Sequence, residues 1–150
     1  TARTILATAD GRSPADALTS EIGKTLKIEN SAASEMKYKY GTKQGPSEYL
    51  KIIEQYALIL SQRIAHTVAF ALARFNSCPA VSQIILSGGG SLLEGLPEEL
   101  SRVLKIPVRI GNPWINTKNI IGTEVDPKTS VRFTTACGLA LASLEYDHAG

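Results

Sequence analysis

The chain has 150 residues, one domain by length, and 43% of them are hydrophobic, which is enough to bury a sizeable core. The formal net charge of +2 is too small to favour a nucleic acid or a membrane surface as a partner. The two cysteines, Cys78 and Cys137, form neither a disulfide framework nor a metal-ligand spacing, and no uninterrupted apolar run reaches the roughly 18 residues of a membrane span.

The N-terminal residues predict a short strand and then a helix. The segment Thr4–Thr8 is a possible strand, and a turn follows it. Ser13 is a candidate N-cap, with Pro14 at the first helical position, where its fixed φ and missing N–H are tolerated. The helix is expected to end near Lys27.

A second helix is expected to begin after the candidate cap Ser31 and to run to Tyr40. Gly41 would stop it, because glycine accepts the left-handed conformation found after helix ends. Lys37 and Lys39 lie in this helix, and from the residues alone they are expected on a solvated face.

A long helix is predicted from Glu48 to Phe75, capped by Ser47 and spanning roughly 40 Å. The residues that recur on one face at helical spacing are Ile52 or Ile53, Tyr56, Ile59 or Leu60, Ile64, Val68, Ala71, Leu72 and Phe75. His66 has no metal-type neighbour at a useful spacing and is interpreted as an ordinary helix histidine.

The segment from Ile84 to Leu96 predicts a buried strand, a glycine turn and a helix. The leucines expected on one face of that helix are Leu93, Leu96, Leu100 and Leu104. Glycines let a ligand approach the backbone closely, and a helix N-terminus at Ser91 and Leu92 would suit an anion or a ribose hydroxyl. A tight turn without a ligand is the alternative interpretation.

Two familiar glycine motifs are excluded. A Walker A loop requires lysine directly after the last glycine, and Leu96 follows Gly95 here. A dinucleotide fingerprint requires a third glycine where Leu93 stands.

A second short strand is predicted at Val108–Ile110, before a polar, irregular stretch. The single tryptophan, Trp114, is interpreted as a lid on the core rather than a surface for stacking a ligand. Thr129 or Ser130 is expected to cap the closing helix. Its small residues, which would permit close packing on the sheet, are Ala136, Gly138, Ala140 and Ala142.

Three segments resemble the actin/Hsp70-like ATPase superfamily, in particular the type IV pilus assembly protein PilM and the related division protein FtsA. The strand and glycines of Ile84–Pro113 resemble the adenosine motif and the strand and Asn-Pro that follow it. The segment Thr135–Ala142 is similar to the final Ala-x-Gly-Leu-Ala helix of that family. The run Ala33–Lys37 resembles its Ala-Glu-x-x-Lys helix, with Ser34 in place of the glutamate.

The resemblance implies an α/β fold, an actin-like (ribonuclease H-like) ATPase subdomain. Residues 1–150 would form a single domain, the second lobe on the adenosine side of a two-lobed protein. A small mixed sheet would carry Ile84–Leu86 centrally, with the long helix packed across it.

The resemblance also implies the site and its ligand. The nucleotide-binding residues would be Gly88, Gly89, Gly90, Ser91, Leu92, Ser34 and Lys37. The cofactor would be ATP, with Mg²⁺ in the complete parent protein, and no catalytic or metal-binding residue is assigned. Partners would be ATP or ADP and other pilus or secretion-machinery proteins, without nucleic acid or a direct membrane span. The protein would be cytoplasmic, at the inner membrane through those proteins.

Two alternatives remain open. Pro14 and Ala15 stand where the family usually has two glycines, and with Ser34 they favour a degenerate fold that serves as a protein-interaction scaffold. A role in cell division like that of FtsA is the other. Either way, one lobe without its partner is not expected to hydrolyse ATP, since phosphoryl transfer needs positioned phosphates, metal and an oriented nucleophile.

Overall fold

The computed structural model describes residues 14–74, 80–114 and 126–147. The predictions for Thr4–Thr8, Ser13, Phe75 and Cys78 lie outside these residues. The fold is mixed α/β and mostly helical. Its elements in chain order are α1 (Pro14–Leu26), α2 (Asn30–Tyr40), α3 (Ser47–Arg74), β1 (Ile84–Leu86), a first 3₁₀ turn (Gly89–Leu92), α4 (Leu96–Leu104), β2 (Val108–Ile110), α5 (Pro127–Ser130), a second 3₁₀ turn (Val131–Phe133) and α6 (Thr134–Asp147).

The first two helices end close to their predicted limits. Helix α2 begins one residue before Ser31, and Glu29 occupies the N-cap position without a side-chain capping bond, so the prediction of Ser31 as the cap is wrong. At the other end Gly41 has φ of +59°, and its N–H donates to the Lys37 carbonyl. The predicted glycine stop is therefore confirmed.

Helix α3 is buried mainly along its N-terminal half. The buried residues of the helix are Tyr49, Ile52, Ile53, Ala57 and Ser61. Beyond Ser61 its side chains are half-buried or exposed, and Phe70 is 57% exposed. By length and composition α3 could cross a membrane, a test that the core helices of soluble proteins also pass.

The two described strands form a parallel sheet. Ile84, Ile85 and Leu86 pair with Val108, Arg109 and Ile110. In the described part of the chain the sheet is thus parallel rather than mixed, and β1 has one strand beside it rather than a central position. Parallel pairing follows from the crossover through α4, which lies between the strands in the chain.

The core lies where α1, α2, α3 and α4 meet. Its buried members are Leu18, Ile22, Ala33, Tyr49, Ile52, Ile53, Leu93, Leu96 and Leu100. The leucine face predicted for α4 is confirmed, since Leu93, Leu96 and Leu100 are buried and Leu104 packs against them. Helix α3 makes its main contacts with α1 and α4, so the expected packing across the sheet is replaced by packing on helices.

The closing helix differs from its prediction. Thr129 and Ser130 lie within α5, and Ser130, at the N-cap position of the 3₁₀ turn that leads into α6, makes no side-chain capping bond. Ala136, Gly138, Ala140 and Ala142 are exposed, and Leu139 is 69% exposed. The expected close packing of these small residues on the sheet is therefore absent from the described structure.

Candidate functional site

The glycine turn after β1, Gly88–Ser91, is held by backbone hydrogen bonds and by the Ser91 hydroxyl. Gly88 has φ of +82°, a conformation that side chains with a Cβ disfavour, and its N–H donates to the Val131 carbonyl at 3.1 Å. The Gly88 carbonyl accepts the Ser91 hydroxyl at 2.7 Å and the Ser91 N–H at 3.1 Å. Ser91 is buried, so its hydroxyl stabilises the turn from the buried side.

The helix after this turn begins later than the sequence suggests. Gly89–Leu92 forms a 3₁₀ turn, and α4 starts at Leu96 after Gly95, which is left-handed with φ of +82°. The expected helix N-terminus at Ser91 and Leu92 is therefore wrong. The positive end of the α4 dipole lies at Leu96, beyond the turn.

The turn leaves open space over two of its glycines. A Cβ built on Gly88 or Gly89 would meet no atom within 4 Å, whereas one on Gly90 would lie 3.1 Å from the Ala15 Cβ. Positive φ belongs to Gly88 and not to Gly89, so the backbone at Gly89 does not require glycine. Bare backbone at Gly88 and Gly89 therefore faces space into which a ligand could come.

A cavity of about 700 Å³ lies next to Leu92, the residue that follows Gly88–Ser91. It is lined by Tyr38 of α2, by Leu92, Leu93, Glu94, Gly95, Pro97 and Glu98 around the start of α4, and by Ile110, Asp126, Thr129 and Arg132. A volume of this size is typical of small-molecule sites. Its rim carries three carboxylates and one guanidinium, so it favours ligand groups that donate hydrogen bonds over a cluster of phosphates.

Tyr38 and Arg132 meet across this cavity, although 94 positions separate them in the chain. Arg132 Nη2 donates to the Tyr38 hydroxyl at 3.0 Å, and the guanidinium carbon lies 5.8 Å from the centre of the tyrosine ring. Tyr38 is 55% exposed, so one side of this pair is accessible. Aromatic rings and guanidinium planes both offer a surface on which a planar base can stack.

Lys37 lies near the turn but points its ammonium at α1. Its Nζ donates to the Ala15 carbonyl at 3.1 Å and to Thr19 Oγ1. Burial lowers the pKa of Lys37, and the nearby carboxylate of Asp16 opposes that shift. Lys37 shares a cleft of about 20 Å³ with Gly89 and Gly90, which is too narrow for more than a water molecule.

Ser34 lies one helical turn before Tyr38 and is half-buried. The spacing of four residues places both on the same side of α2. Ser34 is not among the residues that line the 700 Å³ cavity, whereas Tyr38 is. The structure therefore brings Leu92 together with Tyr38 and Arg132 in one cavity, with Ser34 close to Tyr38 on α2, whereas Gly88–Ser91 do not line that cavity.

Two other cavities flank the core. One of about 240 Å³ lies on the strand side of the glycine turn, between Ser87–Ser91 and the side chains of Tyr56 and Leu60. Another of about 380 Å³ is a groove between α1 and α3. Its lining is mostly aliphatic, and it shares Tyr56 and Leu60 with the cavity at the glycine turn.

Sequence reasoning missed Tyr38, Arg132 and the three carboxylates. Tyr38 stands directly after Lys37, and Arg132 precedes the closing helix, but neither position carries a periodic or spacing signal. Among the described residues no group of three or more His, Cys, Asp or Glu could hold a metal ion. Trp114, predicted to be a lid on the core, is half-buried, and its indole N–H donates to Ser130 Oγ at 2.7 Å.

Comparison with known proteins adds a family to this geometry. A family model described as type IV pilus assembly protein PilM matches residues 12–144. The cell division protein FtsA of Agrobacterium fabrum (strain C58 / ATCC 33970) is 42% identical over 87 residues, which cover 55% of this chain and 18% of that relative. FtsA of Rhizobium radiobacter matches with the same figures. The aligned stretch thus spans less than a fifth of these relatives.

Proposed function

Because this chain belongs to the PilM family of type IV pilus assembly proteins, we propose that it binds ATP as the adenosine-side lobe of an actin-like ATPase. The parent protein would work in the assembly of type IV pili or a related secretion machine. It would be cytoplasmic and held at the inner membrane through other proteins of that machine.

The cavity of about 700 Å³ beside the glycine turn carries this proposal. Adenine and ribose offer an amino group and hydroxyls as donors, and the carboxylates of Glu94, Glu98 and Asp126 on the rim are acceptors. Phosphates would be repelled by those carboxylates but fit the bare backbone at Gly88 and Gly89. The chemistry therefore orients a nucleotide with its nucleoside in the cavity and its phosphates towards the glycine turn.

The predicted binding residues take roles in this pose. Gly88, Gly89, Gly90 and Ser91 form the wall near the phosphates, and Leu92 gives the cavity an apolar floor. Ser34 lies outside the cavity lining, one helical turn before Tyr38 on the side of α2 that a ribose would approach. Mg²⁺ would arrive with the nucleotide, and no residue of the described chain is assigned to it.

Replacing Gly89 by valine in the complete protein tests the site. The new side chain enters space that is open in the structure, where the ligand would lie, so ATP binding should weaken at least tenfold. The fold should survive, because Gly89 lacks positive φ and its new Cβ meets no atom within 4 Å. Calorimetric titration with ATP measures the first result and thermal melting the second.

Gly138→Val provides the matched control. Gly138 lies in α6, and a Cβ there also meets no atom within 4 Å, but it is no part of the glycine turn. ATP affinity should be unchanged in this variant. A well-folded Gly89→Val protein that binds ATP as tightly as the wild type would overturn the site and favour the scaffold alternative.

A role in cell division is the second candidate, and the 42% identity to FtsA over 87 residues favours it. Localisation of a fluorescent fusion of the complete protein separates the two. A ring at the site of division supports the division role. Foci elsewhere along the inner membrane, which disappear when the pilus machine is deleted, support the pilus role.

A further inference from the structure

We infer that Lys37 is a positioning residue, which ties α2 to the first turn of α1 and thereby sets Ala15 against the glycine turn. The expected effect of Lys37 on ATP binding rests on the proposed function. The link between α1 and α2 rests only on the hydrogen bonds of Lys37. It differs from the expectation, implied by the resemblance, that Lys37 binds the nucleotide.

Three hydrogen bonds join the Lys37 ammonium, the Thr19 hydroxyl and the Ala15 carbonyl. The Thr19 hydroxyl donates its only proton to the Ala15 carbonyl at 3.0 Å, so its oxygen is left to accept from Lys37. The ammonium also donates to the same Ala15 carbonyl at 3.1 Å. Two of the three ammonium protons are thus used on α1, 18 and 22 positions away in the chain.

This link reaches the glycine turn through Ala15. A Cβ on Gly90 would approach the Ala15 Cβ to 3.1 Å, so the methyl group packs tightly on that backbone. The narrow cleft that Lys37 shares with Ala15, Gly89 and Gly90 cannot admit a phosphate. Lys37 is also absent from the lining of the 700 Å³ cavity. It therefore reaches a bound nucleotide only by fixing α1 and the turn.

The experiment compares two ways of breaking the same bond in the complete protein. Lys37→Met removes the ammonium and keeps the aliphatic stem, and Thr19→Val removes the acceptor with little change of shape. Each should weaken ATP binding by about tenfold, and the double variant should be no weaker than either single one, since one shared interaction is lost. Thr19→Ser keeps the hydroxyl, so this variant should bind ATP within about twofold of the wild-type affinity.

Hydrogen exchange supplies a readout that does not depend on ATP. The first intrahelical donors of α1 are the amides of Leu18 and Thr19, and their exchange should rise about tenfold in Lys37→Met and in Thr19→Val. Lys39→Met is the matched control, because Lys39 is exposed on the same helix and lies over the Tyr40 ring. Its exchange and ATP affinity should remain those of the wild type.

The outcomes separate the two proposals. If Lys37→Met weakens ATP binding and Thr19→Val does not, Lys37 contacts the ligand and the positioning role is overturned. If neither the wild type nor any variant binds ATP, the proposed function fails. The hydrogen-exchange rates of α1 then test whether Lys37 ties α2 to α1. Equal increases in Lys37→Met and Thr19→Val support that link, and unchanged rates overturn it.

Discussion

Two glycines show how single backbone positions shape the site. Gly88 and Gly95 both have φ of +82°, one at each end of the segment that joins β1 to α4. Gly88 faces open space, whereas a Cβ on Gly95 would collide with Thr42 Oγ1. Gly95 therefore has a structural function, because it lets the start of α4 approach the chain that follows α2.

Gly95→Ala should lower the free energy of unfolding by about 1–3 kcal/mol, since it combines positive φ with a steric conflict. Gly138→Ala should instead raise it by about 0.5–1 kcal/mol, because Gly138 lies in a helix and its new Cβ enters open space. Urea unfolding of both variants measures the difference. Equal effects of the same sign would show that the contact between Gly95 and Thr42 is not a constraint.

Tyr49 is a fully buried tyrosine whose hydroxyl donates to the Gly41 carbonyl at 2.8 Å. Burial raises its pKa to about 12 from an ordinary value of 10.0. The unfolded chain therefore ionises first. The stability contributed by keeping Tyr49 neutral is complete below pH 10 and is lost as pH rises towards 12.

Between pH 10 and 12, the wild type should lose roughly 1–2 kcal/mol more stability than Tyr49→Phe, which has no group to ionise there. At pH 7 the phenylalanine variant should itself be less stable by about 1–2 kcal/mol, because the Gly41 carbonyl loses its donor. Chemical unfolding at several pH values measures both differences. Parallel pH curves for the two proteins would contradict the buried, hydrogen-bonded hydroxyl.

At the scale of elements, α4 joins the site to the core. Its buried face carries Leu96 and Leu100, and the start of the helix lines the proposed nucleotide cavity. Its exposed face carries Glu99 and Arg102, whose contact lowers the pKa of the Glu99 carboxyl. The apolar face fixes the rotation of α4 about its axis, which sets the direction of the residues at its start.

Leu100→Ala should reduce stability by about 2–5 kcal/mol, because Leu100 is fully buried and its loss leaves a cavity between α4 and α3. Val103→Ala, on the exposed face of the same helix, should change stability by less than about 0.5 kcal/mol. Thermal or urea unfolding compares the pair. Similar losses for both would mean that α4 does not present the face described here to the core.

At the scale of the whole molecule, the described residues form one side of the proposed site and do not enclose it. The proposed nucleoside cavity has exposed Tyr38 on its wall, so water reaches a ligand there. Phosphoryl transfer needs phosphates held in line with an oriented nucleophile and sheltered from bulk water. On the proposed function, this geometry would bind and orient a nucleotide without meeting those requirements.

A polypeptide of residues 1–150 should therefore show no Mg²⁺-dependent ATP hydrolysis and should bind ATP only weakly. A phosphate-release assay on purified protein measures turnover, with Gly89→Val as the control for contaminating ATPase. Hydrolysis that depends on Mg²⁺ and disappears in the variant would contradict this prediction.

The sequence alone determined those features of the fold that depend on neighbouring residues in the chain. Periodic leucines predicted the buried face of α4, Gly41 predicted the end of α2, and β-branched residues predicted β1. The quoted motifs also indicated the family that the comparison establishes. These features depend on spacing and on the backbone preferences of single residues, and both can be read along one chain.

Only the tertiary structure decided which side chains meet. In the folded chain Lys37 donates to Thr19, and Arg132 contacts Tyr38, which lies 94 positions away in the sequence. Helix α4 begins at Leu96 instead of at Ser91. Such contacts depend on how the elements pack, and no local pattern encodes a partner so far along the chain. The glycine turn was therefore predictable from the sequence, while the cavity beside it was decided by the packing of α2, α4 and the segment around Arg132.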